Sequence, residues 1–404
     1  MLRGAPCKFA YFLPSFGAIL PHLPEHPTLS KKRTRHASFK RIRIPLPLFL
    51  ATILILMTLT SYRTLGRSGL IVSPLTLGTM TFGTPRWGSP DDVSQAIFDA
   101  YVEAGGNFID TADVYAGGLS EELVGRYIAE RGLRDKIVLA TKFGFCAQPN
   151  NPHAGGNGRK HIHQALDGSL RRLKTDYVDM YWLHVWDTVT PAEEVLQTLG
   201  NLVQAGKIRY FGFSDMPAWY VTKAAALAQA HAVPGPIAMQ LEYSLVARRI
   251  EGEYVPAAQD MGLGITPWSP LAAGFLAGKY EKAGPGTASG AGRLMGPNPF
   301  GNMKFTEKNW HVLEALRPVA AQLERPLAQV ALAWALAQPG ITSLIVGATR
   351  LEQLHDNLAS LEVRLNPEQL RTLDEASIED PFYDRMWSLI KGPVFGGVSV
   401  QGWR

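Results

Sequence analysis

The sequence predicts an α/β protein built as a (β/α)8 barrel, the TIM-barrel architecture, with a short β-hairpin ahead of the first barrel strand. Three observations carry this expectation. From Tyr62 onward, short β-branched runs alternate with amphipathic helical windows, the pattern of βα units around a parallel sheet. The runs can be counted as eight, which fits a closed barrel of about 250 residues or more. The Gly-rich GxGxxG turn that follows the first strand of a doubly wound sheet is missing.

In chain order, Tyr62–Val72 with turn signals at Gly66 and Gly69 reads as the hairpin that closes the barrel bottom. Strands are expected at Leu75–Leu77, Asn107–Asp110, Ile137–Thr141, Tyr177–Leu183, Ile208–Phe213, Ile237–Gln240, Gly264–Pro267 and Ser343–Val346. Between them, Ser89-Pro90-Asp91-Asp92 supplies a serine N-cap, a proline at the first helical position and first-turn acids. Val93, Ala96, Ile97 and Ala100 then follow at helical spacing. Thr190-Pro191-Ala192-Glu193 repeats the signal for a helix through Leu196, Leu199 and Leu202 that Gly206 stops. His161 and His163 flank the start of a helix at Ile162–Leu173. One connection breaks the rhythm: Glu281–Lys304 is rich in Gly, Pro, Ala and Asn with no periodic apolar face. It follows the seventh strand on the site-bearing side of a barrel, so a mobile clamp and a disordered insertion both fit it.

Charge divides the chain in two. The 404 residues carry a net charge of +5, but the first 56 hold nine Lys/Arg against one acid, Glu25. The other 348 residues carry 31 Lys/Arg and 34 Asp/Glu, so the body has no basic footprint for nucleic acid. Domain boundaries are accordingly expected at 1–56, a basic and apolar leader, and 57–404, the barrel. The apolar stretch Ile44–Met57 is shorter than the roughly 20 residues of a membrane-spanning helix, and no small-residue cleavage site follows it. Three readings fit the leader: upstream sequence ahead of a true start at Met57, an uncleaved anchor or signal over 44–60, or a transit peptide. A cytoplasmic protein is expected. Two cysteines, Cys7 and Cys146, exclude a disulfide scaffold. The histidines at 153, 161 and 163 lack acidic companions, so no metal is assigned.

Barrel active sites are built at the C-terminal ends of strands, which makes the polar residues there the candidates. The second strand ends in Asp110, with Tyr115 five residues on; the third ends in Thr141-Lys142-Phe143 and the fourth in Trp182-Leu183-His184. A phenol with a pKa of about 10 is a poor acid at neutral pH, but an adjacent ammonium stabilises the phenolate. Asp110 would hold Lys142 charged, and His184 would orient a substrate oxygen. Together the four can protonate a carbonyl oxygen as hydride reaches its carbon. Each alone is equally an ordinary core residue, but four on consecutive strand ends point to a site.

With those residues in view, the sequence resembles the aldo-keto reductase superfamily over Leu59–Arg404. The N-terminal marks are Tyr62-Arg63-Thr64-Leu65-Gly66, Leu77-Gly78-Thr79-Met80 and Phe108-Ile109-Asp110-Thr111-Ala112. Leu183-His184-Val185-Trp186-Asp187, Gln240-Leu241-Glu242-Tyr243-Ser244 and Trp268-Ser269-Pro270-Leu271 make it most similar to the aryl-alcohol-dehydrogenase-like and potassium-channel-β-like branches. The resemblance implies a catalytic tetrad of Asp110, Tyr115, Lys142 and His184, with Tyr115 the proton donor, and a nicotinamide cofactor held without a Rossmann fold. It implies Ser214, Asp215 and Gln240 at the carboxamide, Trp268 on the ring, and Ser269, Leu271 and Gly274 along the pyrophosphate. Gly347, Thr349, Arg350 and Gln353 match its adenosine-phosphate segment, with Asp356 and Asn357 at the adenine.

Thr349 to Glu352 is also a capping-box pattern, and a helix N-terminus beside Arg350 favours a phosphate dianion, hence NADPH (NADP+) over NADH. Three positions depart from the family pattern. Asp215 stands where many members have Asn, Gly347 where many have Lys, and Asp356 where Glu is commoner. Trp87, Phe143 and Trp186, with Trp268, form an aromatic set suited to an apolar or aryl carbonyl substrate. Two functions follow: a reductase of aldehydes and ketones, or a cofactor-sensing subunit of a larger, channel-like complex, with oligomeric state open. No HxH pair follows the first strand, which disfavours a metal-dependent barrel hydrolase.

Overall fold

A computed structural model describes residues 57–296 and 303–379, with isolated positions beyond. The leader, 1–56, lies outside the described residues. Eight strands form one parallel sheet: β3 (Leu75–Gly78), β4 (Phe108–Asp110), β5 (Val138–Phe143), β6 (Val178–Leu183), β7 (Ile208–Ser214), β8 (Ala238–Gln240), β9 (Gly264–Ile265) and β12 (Leu344–Val346). Neighbours in the sheet follow chain order, and β12 pairs with β3. The remaining edges also meet, because the Thr342 N–H donates to the Ile265 carbonyl at 2.8 Å and that of Ile345 to Pro267 at 2.8 Å. Every expected strand is present, with ends shifted by no more than two residues.

Ahead of the sheet, β1 (Arg63–Thr64) and β2 (Ile71–Val72) pair antiparallel as the expected hairpin. Its turn sits against the start of β9: Arg67 N–H donates to the Gly262 carbonyl at 2.7 Å. Gly66 has φ +61°, and a Cβ there would lie 2.4 Å from the Ile237 carbonyl oxygen, so only glycine fits this approach. Leu65 and Val72 of the hairpin join Phe108, Val138, Ala140, Met180, Trp182 and Ala238 in one buried cluster inside the sheet. Strand side chains alternate between faces, and the other face packs on the helices through Ile109, Leu139, Phe143, Tyr181, Leu183, Phe211 and Phe213.

The helices alternate with the strands: α1 (Asp91–Glu103), α2 (Leu119–Glu130), α3 (Arg159–Leu173), α4 (Ala192–Gln204), α5 (Ala218–His231) and α6 (Tyr254–Met261). Between β9 and β12 lie α7 (Glu307–Gln322) and α8 (Leu327–Leu336); α9 (Leu351–Ala359) and α10 (Pro367–Ser377) end the described chain. Several start signals act differently from expectation. Pro90 and Pro191, not Ser89 and Thr190, occupy the caps, and neither start has a side-chain cap bond. The two hydroxyls are engaged elsewhere, Ser89 with Ser94 at 2.9 Å and Thr190 on Asp187 at 2.6 Å. The Thr349–Glu352 capping box does not form either, because Arg350 is the cap of α9 and Thr349 donates instead to Gln353 Oε1, from N at 2.9 Å and from Oγ1 at 3.0 Å. His161 and His163 lie within the first turns of α3 rather than outside it.

The Glu281–Lys304 connection also contains structure. It opens as an antiparallel hairpin, β10 (Tyr280–Gly284) with β11 (Thr287–Gly290), while 297–302 lie outside the described residues. Its far end is anchored by Lys304, which is ion-paired with Glu242 at 2.6 Å.

Candidate active site

Alternation along the strands builds the site. Phe108 faces the interior, so Asp110 does too; Val138 and Ala140 are followed on the same side by Lys142, Met180 and Trp182 by His184, and Ala238 by Gln240. Each strand thus runs from an apolar interior to a polar residue at its C-terminal end. Gly212 makes room within this column, since a Cβ there would meet the Trp182 ring at 2.5 Å.

Lys142 is fully buried. Its ammonium is bonded to Asp110 Oδ2, to the Thr111 carbonyl at 2.8 Å and to the Tyr115 hydroxyl at 3.2 Å, which uses all three donors. Burial pulls its pKa down, but Asp110 and Tyr115 more than offset this and hold Lys142 protonated. Asp110, 2% exposed, accepts on its other oxygen from Gln240 Nε2 at 3.1 Å. Tyr115 opens a single turn in which Ala116, Gly117 and Gly118 all have positive φ, and this returns its ring over Lys142 with 4.8 Å from Nζ to the centroid. Burial and the Asp110 charge raise the Tyr115 pKa while Lys142 and Arg293 oppose them, so the phenol keeps its proton.

The His184 ring stands edge-on to that of Tyr115 at 5.9 Å and to that of Phe145 at 4.8 Å. Burial and then the Lys142 charge hold its pKa well below the usual histidine range, so it is neutral. Its Nδ1 is buried without a partner.

Next to the tetrad, Ser214 pairs in register with Gln240, and the Asp215 N–H donates to the Gln240 carbonyl at 3.2 Å. Trp268 donates from Nε1 to Asp215 Oδ1 at 3.2 Å. Ser269, Ala273 and Gly274 have positive φ, and Leu271 packs partly buried on the core between them. A Cβ on Gly274 would lie 3.1 Å from Lys279 Cδ. Burial and the charge of Arg350 lower the Lys279 pKa, so these two cations face one region. Among the described residues neither has a carboxylate partner. At the start of α9, Gly347 is exposed and Asn357 is buried with its amide donating to the Gly347 carbonyl at 3.2 Å. Asp356 and Arg350 are exposed, and Gln353 closes the turn on Thr349. A free pair of cations beside a glycine cradle and a helix N-terminus fits the phosphates of a nicotinamide dinucleotide.

The aromatic set is corrected in part. Phe143 does not reach the mouth: it follows inward-facing Lys142, so it points outward and stacks on Tyr181 at 4.7 Å, fully buried. Trp87 lies under the Arg293 guanidinium, 4.4 Å from Cζ to the ring, and Trp186 meets Trp219 edge-on at 5.9 Å. Phe145, Trp219, Lys279 and Arg293 escaped sequence reasoning. Phe145 sits beyond the strand after Gly144, whose φ of +137° breaks the alternation. A second aromatic after the inward lysine and a Gly-Lys step after the glycine cradle were the available signals.

The profile of the aldo/keto reductase family matches residues 74–378. The chain is 37% identical over 325 residues to an uncharacterized oxidoreductase, YrpG, of Bacillus subtilis, covering 78% of this chain and 95% of that one. It is 38% identical over 307 residues to a probable voltage-gated potassium channel subunit beta of Oryza sativa, covering 75% and 91%. It is 34% identical over 322 residues to an aryl-alcohol dehydrogenase [NADP(+)] of Phanerodontia chrysosporium, covering 76% and 83%. The strand-end constellation and these similarities agree: the chain belongs to the aldo/keto reductase family.

Proposed function

We propose that the protein is an NADPH-dependent oxidoreductase that reduces aldehydes or ketones, with aryl and apolar carbonyl compounds as substrates. The observation that carries this reading is the bonding of Lys142 to both Asp110 and the Tyr115 hydroxyl at the mouth of the eight-stranded sheet, read here as a closed (β/α)8 barrel. When bound, the nicotinamide supplies the hydride. The chain's residues do the rest. Neutral His184 donates to the carbonyl oxygen and sets its angle; Tyr115 gives that oxygen its proton; Lys142, held by Asp110, stabilises the phenolate left behind. Gln240 keeps Asp110 turned toward Lys142.

Ser214, Asp215, Gln240 and Trp268 would hold the nicotinamide end, and Ser269, Leu271, Gly274 and Lys279 the pyrophosphate. Gly347, Thr349, Arg350, Gln353, Asp356 and Asn357 would hold the adenosine end. Lys279 and Arg350 support NADPH, as does the NADP(+) named for the aryl-alcohol dehydrogenase relative. Trp87, Trp186, Trp219 and Phe145 support a flat apolar substrate.

Among the described residues, no helix is long and apolar enough to cross a membrane. A cytoplasmic location is part of the same proposal. The test is loss of NADPH absorbance with a panel of aromatic aldehydes. Tyr115→Phe should lower turnover by about 10²–10⁴-fold while NADPH still binds. Undiminished turnover in this variant would overturn the assignment of the proton donor.

The similarity to potassium channel β subunits favours a second reading, a cofactor-sensing subunit with weak turnover. Tight NADPH binding without turnover on any carbonyl would select it.

A further inference from the structure

The residue that follows β7 on the mouth side is a carboxylate with no cation bonded to it among the described residues. Asp215 takes a left-handed φ of 47°, its N–H is fixed on the Gln240 carbonyl, and its Oδ1 accepts from Trp268 Nε1 at 3.2 Å. Gln240 in turn bonds Asp110 at 3.1 Å, so the Asp215 backbone is held beside the tetrad through one residue. Among the described residues no lysine or arginine forms an ion pair with the carboxylate. The charge of Lys142, a buried cation of the mouth, is already matched by Asp110. Among the described residues, Asp215 is therefore an unmatched charge at the nicotinamide end.

We propose that the Asp215 carboxylate sets the oxidation-state preference of the site, holding the cationic ring of NADP+ more tightly than the neutral ring of NADPH. This rests on the reading of the mouth as a nicotinamide site given above. The two cofactor forms share their carboxamide, ribose and phosphates, and differ by one positive charge on the ring. A fixed negative charge beside that ring separates them by Coulomb's law, whereas an amide in the same place does not. The carboxamide NH2 can donate to the carboxylate in either form, so shape and hydrogen bonding are shared. The consequence is that the chain loads with oxidised cofactor at NADP+/NADPH ratios where a site with a neutral residue holds the reduced form.

The charge is itself titratable. Asp215 is exposed at the mouth, yet the strand ends crowd its carboxylate and raise its pKa; the Trp268 N–H beyond β9 opposes this, Glu242 beyond β8 repels the charge and Lys142 on β5 attracts it. The balance pushes its pKa up to about 6. Tyr254 of α6 also feels the charge. The preference for NADP+ should therefore be full above this pKa and fade below it.

The test measures two dissociation constants, for NADPH by its fluorescence and for NADP+ by competition, on the full chain and on Asp215→Asn, across the pH range spanning that pKa. Asn keeps an oxygen for the Trp268 N–H and removes only the charge. We expect Kd for NADPH to change little and Kd for NADP+ to weaken by roughly tenfold, the scale of one charge acting on another at a protein rim. In the unmodified chain the ratio of the two constants should lose its bias toward NADP+ as pH falls through the pKa, and in the variant it should stay flat. The cofactor's 2′-phosphate also titrates near pH 6, but it does so in both forms and cancels from the ratio. A ratio unchanged by Asp215→Asn, or flat with pH in the unmodified chain, overturns the proposal, and the second result decides even where the variant does not fold. Failure of the unmodified chain to bind either form overturns the function proposed above instead.

Discussion

Lys142 Nζ reaches the Tyr115 hydroxyl at 3.2 Å only because its other two donors are fixed on Asp110 and on the Thr111 carbonyl. The ammonium is thereby aimed, and its removal has two separable effects. Lys142→Met leaves the Asp110 carboxylate buried and unpaired, which should cost about 3–5 kcal/mol of stability. Adding Asp110→Asn should recover most of that loss, since both charges are then gone. Turnover should stay depressed in single and double variants alike, because neither stabilises the Tyr115 phenolate. Denaturant unfolding and carbonyl reduction on the same samples check this, and recovery of activity with stability would contradict the assigned role.

A second carboxyl lies behind the tetrad. Asp113 has a buried oxygen, Oδ1, without a hydrogen-bond partner, and its pKa is pushed up to about 7, first by burial and then by the charge of Glu121, with Arg172 opposing. The folded state therefore holds a proton that the unfolded chain releases at about pH 4. Between these values stability falls as pH rises, and above about pH 7 the full loss persists. Asp113→Asn should remove the loss, making the protein more stable by roughly 1–3 kcal/mol at mildly alkaline pH and by progressively less as pH falls toward 4. Chemical unfolding at several pH values reads this directly; a gap that widens in acid would reverse the sign of the argument.

These two carboxyls also show what was legible in the sequence. Asp110, Lys142 and His184 could be found because each ends a β-branched run, and Asp110 and Lys142 then share the inner side with the apolar residues two before them. The same rule, applied one residue further, excludes Phe143: a strand that turns Lys142 inward must turn its neighbour outward onto Tyr181. Phe145, Lys279 and Arg293 obey no period. They are placed by left-handed turns at Gly144 and Ala273-Gly274 and by the segment after β11, whose geometry depends on contacts distant in the chain. The helix starts were visible but their caps were not, because Ser89 and Thr190 found partners in Ser94 and Asp187 instead. Asp113 carries no sequence signal, as its elevated pKa arises first from burial and then from Glu121 arriving on α2.

Lys279 and Arg350 should contribute differently to cofactor binding. Arg350 caps α9 in the segment assigned to the adenosine phosphate, whereas Lys279 lies against the Gly274 turn assigned to the pyrophosphate. Arg350→Ala should weaken NADPH by about 10–100-fold, the loss of a hydrogen bond to a charged group, and leave NADH nearly unchanged. Lys279→Ala should weaken both by similar factors. Fluorescence titration with each cofactor separates the two patterns. Equal loss of NADPH and NADH binding in Arg350→Ala would move that arginine away from the 2′-phosphate.

Phe145 should select among substrates. Its ring is 45% exposed yet stands edge-on to His184 at 4.8 Å, so a carbonyl compound held by His184 lies within its reach. An aromatic pair adds about 0.5–1.5 kcal/mol beyond area burial, or roughly twofold to tenfold in affinity. Phe145→Ala should therefore raise KM for aryl aldehydes by that factor while KM for short aliphatic aldehydes moves little. Phe145→Leu keeps apolar contact without the ring and should fall between them. A uniform drop in kcat for all substrates would instead mean that Phe145 acts by holding the His184 ring in place. The two roles are told apart by running both substrate classes against both variants.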